Sequence, residues 1–320
     1  MDRILVTGGA GYIGSHICKA LAQKGYEPVT LDNLSLGHAW AVKWGPLIEG
    51  DIGDQELVRK VIDDYQVVGT IHLAALSNVR ESEQIPLAYY QNNVEKTVNL
   101  LQVLEERVPC FVFSSTCAVY GIPQHVPIEE THPQYPISTY GESKWMVEKA
   151  LQKTGLRVAT LRYFNASGAD PEGEIGECHT PETHLIPLLI QTAMGQRETF
   201  TLYGNDHDTP DGTPIRDFIH VTDLADAHVL ALEKLLKGEK ALTLNLGTGK
   251  GYSVQEVIET LNHPISLIQG ERFAGDPPIL VAGASQAKDV LGWEPKYSDL
   301  STILETAWRW HQCPISSSLS

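Results

Sequence analysis

Tyr140 and Lys144 stand four residues apart in the stretch Tyr140-Gly-Glu-Ser-Lys144. On a helix that spacing places both side chains on one face, with an axial rise of about 6 Å. An ammonium beside a phenol favours the phenolate, so the phenol pKa is expected to fall from about 10 toward neutrality. A base poised in this way takes a proton from an alcohol. Taken alone, a tyrosine and a lysine at helical spacing are more often an exposed helix face than a base. The other elements of the chain decide between the two.

Upstream, Ile4-Leu5-Val6-Thr7 is a short apolar run that reads as a buried parallel strand. It enters Gly8-Gly-Ala-Gly11-Tyr-Ile-Gly14, after which Ile17, Ala20 and Leu21 recur at helical spacing. Glycine is needed where the backbone turns sharply and approaches a pyrophosphate, and amides at the helix start then face the phosphates. Such a glycine run is weak by itself; its place between a strand and a helix makes it a dinucleotide signal. A second strand, Pro28–Leu31, ends at Asp32. An acid about twenty residues past the glycines is placed to accept hydrogen bonds from ribose hydroxyls, which favours NAD over NADP.

Further strand–helix units follow. Leu47-Ile48 leads to Asp51-Ile52, where an acid after a strand end can meet an adenine amino group. Val67–Leu73 is the next strand and ends in Ala74-Ala75, small enough for a cofactor to lie against the backbone. A long helix over Leu87–Arg107 carries Val94, Val98, Leu101 and Leu104 on one face, with Asn92 and Asn93 near its start. Those asparagines fit capping or solvent exposure as well as binding. Phe111–Phe113 runs into Ser114-Ser115-Thr116. Alternation of this kind predicts an α/β fold with a Rossmann-type doubly wound parallel sheet and ligands at the strand carboxyl ends.

Loop 122–139 then leads to the Tyr140 helix, and strand Leu156–Leu161 runs into Arg162-Tyr-Phe-Asn165. Beyond Asn165 the rhythm changes, and Gly, Pro, Glu and Asp crowd Ala169–Thr183. We therefore expect residues 1–165 to form a dinucleotide-binding domain. Residues 166–320 form a smaller C-terminal α/β lobe for substrate, with some segments (about 216–250) returning to the first domain. Ser316–Ser320 reads as a frayed tail.

The composition is that of a globular enzyme, with 42% hydrophobic and 20% charged residues. A formal charge of −16 argues against a nucleic-acid partner, while leaving room for a small anionic ligand. Five cysteines without a C-x-x-C pair suggest a reducing compartment. The start of the chain does not resemble a signal peptide and no eighteen-residue apolar run follows, so a cytoplasmic, membrane-free protein is expected. Asn245–Gly251 is glycine-rich but lacks the Lys-Ser/Thr ending of a phosphate loop, and Ser253-x-x-Glu256 after it is a capping box. Asp206–Gly212 has calcium-loop residues broken by Pro210 and a displaced glycine, which favours a polar surface loop. Twelve histidines form no H-E-x-x-H and no similar close cluster, so no metal is expected.

With Gly8-x-x-Gly11-x-x-Gly14, Asp32, Ser114-Ser115-Thr116 and Tyr140-x-x-x-Lys144 in hand, the chain resembles the extended short-chain dehydrogenase/reductase family. Within it, the resemblance runs nearly end to end to members that invert C4 of UDP-hexoses. The stretches that carry it are Val6–His16, Leu31-Asp-Asn-Leu34, Tyr89-Tyr-Gln-Asn-Asn-Val94, Leu161-Arg-Tyr-Phe-Asn165 and Arg216–Ala225. The last two are far more specific to nucleotide-sugar enzymes than the glycine motif is.

The resemblance implies an isomerase acting on UDP-glucose and UDP-galactose through a transient 4-keto sugar, with NAD kept as a prosthetic group. Tyr140 would be the base for the 4-hydroxyl, Thr116 would hydrogen-bond the same oxygen, and Lys144 would hold the nicotinamide ribose. Cofactor contacts carried over by resemblance are Tyr12, Ile13, Asp32, Asn33, Leu34, Ser35, Leu36 and Gly37, then Asp51, Ile52, Leu73, Ala74, Ala75, Leu76, Ser77, Asn92 and Phe164. Contacts to UDP and sugar are Asn165, His184, Leu185, Thr201, Leu202, Tyr203, Arg216, Arg272 and Asp276. The two arginines suit a diphosphate, which favours charge-assisted, bidentate donors; in an acidic chain, surface ion pairing is the alternative. A homodimer built on the helices after Leu87 and after Tyr140 is also implied.

The chain departs from the pattern at four positions. Thr116 stands where some members have serine, which keeps the hydroxyl. His184 replaces an asparagine, and Ser77 replaces a cofactor-contacting lysine. Leu280 stands where a tyrosine restricts the sugar pocket, so UDP-GlcNAc and UDP-GalNAc are expected as further substrates unless a neighbouring loop refills the space. A 4,6-dehydratase would need an acid/base pair directly after Thr116, where Cys117-Ala118 cannot serve. A UDP-uronate or UDP-pentose 4-epimerase uses the same Tyr/Lys chemistry and stays open. An inactive NAD-binding regulator would usually lack the tyrosine or the lysine, and both are present.

Overall fold

Ile4, Leu5 and Val6 are fully buried, and the pleat explains how. The computed structural model describes residues 1–273 and 275–313, so the Ser316–Ser320 tail lies outside the described residues. In β1 (Arg3–Thr7), Ile4 and Val6 pack with Ile17 and Leu21 on one face, while Leu5 packs with Val29 and Leu31 on the other. A strand apolar on both faces needs helices on both sides. The chain supplies them through α1 (Tyr12–Gln23), β2 (Glu27–Asp32), β3 (Leu47–Glu49), α2 (Gln55–Tyr65) and β4 (Val67–His72).

The next helical stretch differs from the single helix expected over Leu87–Arg107. A separate helix, α3 (Val79–Gln84), comes first, capped by the Asn78 side chain. Then α4 (Pro86–Tyr89) and α5 (Lys96–Glu105) flank a π-helical segment, Tyr90–Glu95. Such turns are frequent at functional sites. Here the segment carries Asn93, only 2% exposed, whose amide oxygen accepts from Leu76 N at 2.8 Å. Its amide nitrogen donates to Leu76 O at 2.9 Å and to Ser143 Oγ at 3.1 Å. Asn93 thus ties the loop after β4 to the Tyr140 helix, and neither capping nor solvent exposure describes it.

β5 (Cys110–Thr116), α6 (Thr139–Leu151) and β6 (Arg157–Tyr163) complete the first half. Ser138 caps α6 by accepting from Gly141 N, which starts the helix one residue before Tyr140. The second half holds β7 (Asn165–Ser167), α7 (Leu185–Ala193), β8 (Phe200–Tyr203), β9 (Ile215–His220), α8 (Val221–Leu236) and β10 (Ala241–Leu246). It ends with β11 (Gly251–Ser253), α9 (Val254–Leu261), β12 (Leu267–Gly270), β13 (Ile279–Leu280), α10 (Ser285–Leu291) and α11 (Leu300–His311).

The large sheet runs β10-β6-β5-β4-β1-β2-β3, every pair parallel. Its order reverses between β1 and β4, where a doubly wound sheet opens a crevice. Although β10 comes late in the chain, it extends this sheet beside β6, and α8 packs Leu224 and Leu232 into the β1 core. The remaining elements form a smaller layer in which β9 pairs β7, β11 and β13, and β8 pairs β12. Its separate core joins Ile186 and Leu189 to Phe218, Val257 and Ile303. The expected capping box of Ser253 and Glu256 starts α9. Segment 206–212 is not simply a polar surface loop: His207 is 5% exposed, and Asp211 accepts from the Ser253 hydroxyl.

Beneath α6 lies a buried ion pair. Arg162 donates from Nε to Glu148 Oε1 at 2.9 Å and from Nη2 to Oε2 at 2.6 Å. Its Nη1 donates to Tyr120 Oη at 3.0 Å, and Tyr120 donates to Asn245 Oδ1 at 2.7 Å. The network joins α6, β6 and β10. Removing one partner of such a pair strands a buried charge and costs about 3–5 kcal/mol. Arg162→Leu should therefore lower the urea midpoint by that equivalent, and adding Glu148→Leu should restore much of it. A single variant as stable as the double would show that the pair does not hold α6 in place.

Candidate active site

The carboxyl ends of the central strands open into one cleft of about 720 Å³. Its floor is the turn between β1 and α1. Gly8 has φ +74°, and a Cβ added at Gly14 would lie 2.1 Å from the Gly8 carbonyl oxygen. Only glycine at position 14 lets α1 close onto the turn. The turn in turn orients Asp32, whose Oδ2 accepts from Ala10 N at 3.0 Å and whose Oδ1 accepts from Leu34 N at 2.9 Å. Burial pushes the Asp32 carboxyl above its usual range, with both amides opposing the shift. Asp51 accepts from Lys96 Nζ at 2.6 Å, Gly53 N at 2.8 Å and Asn33 Nδ2 at 3.4 Å.

At the other end of the cleft, α6 delivers Tyr140 and Lys144 to the end of β5. Lys144 Nζ donates to Ser114 O at 2.8 Å and the residue is 3% exposed. Burial lowers its pKa from 10.5 to about 7. The Thr116 hydroxyl accepts from Ala118 N at 3.2 Å and stands near enough to the Tyr140 phenol to lower its pKa. The expected fall in the phenol pKa is not found. Burial, followed by the neighbouring Tyr163, holds Tyr140 well above its ordinary value, and the Thr116 hydroxyl offsets only part of that. The partly discharged lysine, tied to a backbone carbonyl, does not overcome desolvation.

The diphosphate candidates divide. Arg216 lines the cleft with its side chain 14% exposed, and its Nη2 lies 2.7 Å from Asp276 Oδ1. Arg272 is exposed and stands outside the lining, its Nη2 donating to Asp276 O at 3.4 Å. Thr201, Leu202 and Tyr203 also stand outside it, because β8 pairs only with β12 and Leu202 faces the α7 core. Tyr203 instead packs against Phe273, ring centroids 4.6 Å apart and planes tilted by 46°, under the Arg80 guanidinium. Leu34 acts through its backbone amide and is likewise not in the lining. The other residues singled out from the sequence line the cleft together, including Gly11, Tyr12, Ile13, Asn92, Phe164, Asn165, Leu185 and Leu280.

Several lining residues are not among the contacts expected from the sequence. Tyr163 reaches the Ser114 hydroxyl from β6 and Phe218 arrives from β9, each inside a stretch that carries the resemblance. Glu177 and His179 come from the loop after β7. His184 is held by a bond from its Nδ1 to Glu177 Oε1. Burial works to discharge this imidazole, but Glu177 outweighs it and keeps the His184 pKa above its ordinary value. The close histidine cluster absent from the sequence spacing is therefore created by folding, as Glu177, His179, Glu182 and His184 meet.

Residues 4–247 match the model of the NAD dependent epimerase/dehydratase family. The chain belongs to that family. A UDP-glucose 4-epimerase of Rhizobium meliloti (strain 1021) is 51% identical over 319 residues, spanning 97% of both chains. The crystal structure of UDP-glucose 4-epimerase from Brucella ovis in complex with NAD matches with a TM-score of 0.94, at 48% identity over 96% of this chain and 98% of that chain. The structure of the UDP-Glc/GlcNAc 4-epimerase from Campylobacter jejuni matches at 0.84, with 38% identity over 98% of this chain and 100% of that one.

In this epimerase-family chain the Lys144 shift has a measurable sign. The folded protein releases the Lys144 proton near pH 7, whereas the unfolded chain keeps it to about 10.5. Between those values the unfolded state binds more protons, so ligand-free stability rises with pH, by up to about 1.4 kcal/mol per pH unit. Lys144→Met removes that gain. Urea unfolding from pH 7 to 9 should show the wild type gaining stability relative to the variant; parallel profiles would place Lys144 nearer the surface than described.

Proposed function

We propose that this chain is an NAD-dependent epimerase that inverts C4 of a UDP-hexose, interconverting UDP-glucose and UDP-galactose through a transient 4-keto sugar. What carries the proposal is one arrangement: Tyr140, Thr116 and Lys144 sit together in a cleft that begins at the glycine turn and reaches Arg216. The residues present fit NAD. Gly8, Gly11 and Gly14 leave the turn free of side chains where it lines the cleft, a Cβ at Gly8 would also strike Ala74 N at 2.7 Å, and Asp32 places a carboxylate at the end of β2 where a ribose would lie. Bound NAD+ supplies the hydride acceptor and a positive charge beside the phenol.

In this proposal Tyr140 takes the 4-hydroxyl proton and returns it, while Thr116 orients the same oxygen. Lys144, held by the Ser114 carbonyl, binds the nicotinamide ribose. Arg216, fixed by Asp276, binds the diphosphate, and the charge-assisted geometry suits it. Residues 1–165 with the segment of about 216–250 act as the dinucleotide unit, and the remainder of 166–320 as the substrate lobe. Leu280 lines the sugar end and packs beside Phe164, Val119 and Tyr120. With no ring or hydroxyl at that position, we extend the substrates to UDP-GlcNAc and UDP-GalNAc.

One assay addresses chemistry and range. Purified protein given UDP-glucose without added NAD should form UDP-galactose, and UDP-GlcNAc should form UDP-GalNAc. Tyr140→Phe should lower turnover by about 10²–10⁴-fold with bound NAD unchanged. An unaltered rate would remove Tyr140 from the role of base. Epimerisation of UDP-glucose with no UDP-GalNAc after exhaustive incubation would mean that neighbours refill the space at Leu280.

We also propose a cytoplasmic homodimer. No helix among the described residues is long and apolar enough to cross a membrane, and no disulfide forms among them. Leu87 on α4 is 79% exposed and Met146 on α6 is 39% exposed, on elements that pack side by side. Such apolar exposure suits a helical interface with a second copy. Leu87→Glu should shift the protein toward monomer in sedimentation velocity; a wild type that is already monomeric at micromolar concentration would defeat this proposal.

A further inference from the structure

The segment between β7 and α7 folds four potential metal ligands onto one point. Glu177, His179, Glu182 and His184 each bring a ligand atom within 4.8 Å of the others. His179 Nδ1 lies 3.2 Å from Glu177 Oε1 and 3.8 Å from Glu182 Oε2, and His184 Nδ1 lies 3.7 Å from Glu182 Oε1 and contacts Glu177 Oε1. We propose that these four residues form a binding site for a divalent transition-metal cation, Zn2+ by ligand type, which staples this segment into the wall of the cleft.

Nitrogen and carboxylate ligands bind Zn2+ at about 2.0–2.2 Å, so a tetrahedral set stands about 3.4 Å apart, close to most of the separations here. The alignment adds one observation. His179 Nδ1 is buried and lies 3.2 Å from Glu177 Oε1 without the alignment of a hydrogen bond, whereas His184 Nδ1 is bonded to the same oxygen. Beside them lies a cavity of about 40 Å³ lined by Glu177, His179, Glu182, Gln191, Gln196 and His311. That is room for at least one water to complete a coordination shell.

Charge also favours a cation. The Glu177 and Glu182 side chains are 6% and 4% exposed, and neither pairs with a lysine or arginine among the described residues. Buried carboxylates need a partner. In the neighbouring acidic group of Asp170, Glu172 and Glu174, the Lys19 ammonium already sits between the three, at 2.6–2.9 Å. At Glu177 and Glu182 the described residues offer two imidazoles, whose ring centroids lie 5.2 Å apart, and the Thr183 and His184 amides, which donate to Glu182 Oε1 at 2.7 and 2.8 Å. A dication neutralises both carboxylates while the imidazoles bind uncharged.

The proposal is independent of the epimerase assignment, and its test uses no catalytic readout. Full-length protein stripped with a chelator and titrated with ZnCl2 should take up one equivalent by calorimetry and melt at a higher temperature. The zinc-edge absorption spectrum of the loaded wild type should show nitrogen and oxygen ligands and no sulfur. His179→Gln and Glu182→Gln, checked for folding by circular dichroism, should lose the stoichiometric uptake. Absence of uptake by the wild type, equal uptake by folded variants, or a sulfur-ligated spectrum would each overturn the proposal. Should both variants fail to fold, the wild-type spectrum still decides.

Discussion

The buried pairing of Glu148 with Arg162 is the constraint on which the active end of the molecule depends. Both side chains are nearly inaccessible, and their two parallel hydrogen bonds fix α6 against β6 in translation and in rotation. Tyr140 and Lys144 lie about two turns and one turn before Glu148 on that helix, so their direction follows from it. A buried ion pair is weak evidence for stability, since desolvation consumes much of its attraction. Its value here is placement. Tyr120 and Asn245 extend the network to β10, which comes from the far end of the chain. The catalytic helix, the β5 terminus and the last strand of the sheet are thereby fixed in one frame.

That frame buries the phenol and the ammonium so deeply that each is driven toward its neutral form. Burial brings the Lys144 pKa down to about 7 and raises that of Tyr140. Desolvation makes any charge brought into the cleft count for more than it would in water. In the proposed function, bound NAD+ would supply such a charge.

Legibility from the sequence followed the range of the interactions involved. β1, the glycine turn and Asp32 were readable because each rests on local requirements: a two-faced apolar run, backbone without Cβ, and a strand-end acid. The parallel sheet followed from repetition of that unit. The π-helical segment was not readable, since its apolar spacing passes for an ordinary helix and only the contacts of Asn93 with Leu76 and Ser143 reveal it. The Tyr140 pKa went the wrong way because spacing reports a neighbour but not the depth of burial. Thr201, Leu202, Tyr203 and Arg272 are carried over by resemblance alone, and they stand outside the lining of the cleft. Glu177, His179, Glu182 and His184 fall within eight residues but match none of the metal motifs sought, and the path of the loop turns them onto one point.

The two departures on the sugar-nucleotide side differ in how they are held, and this separates their consequences. Leu280 is part of an apolar cluster with Phe164 and Tyr120, so its effect is one of volume: the pocket is larger or it is refilled, and no charge moves. His184 is bound through Nδ1 to Glu177, which leaves only its other ring nitrogen for a ligand in the cleft. Its effect is therefore electrostatic and runs through its partners. On the proposed reading, that outward nitrogen is what His184 would offer to a phosphate in place of an asparagine amide. The loop that lines the cleft would then set how the nucleotide end is held, without touching the chemistry proposed at Tyr140.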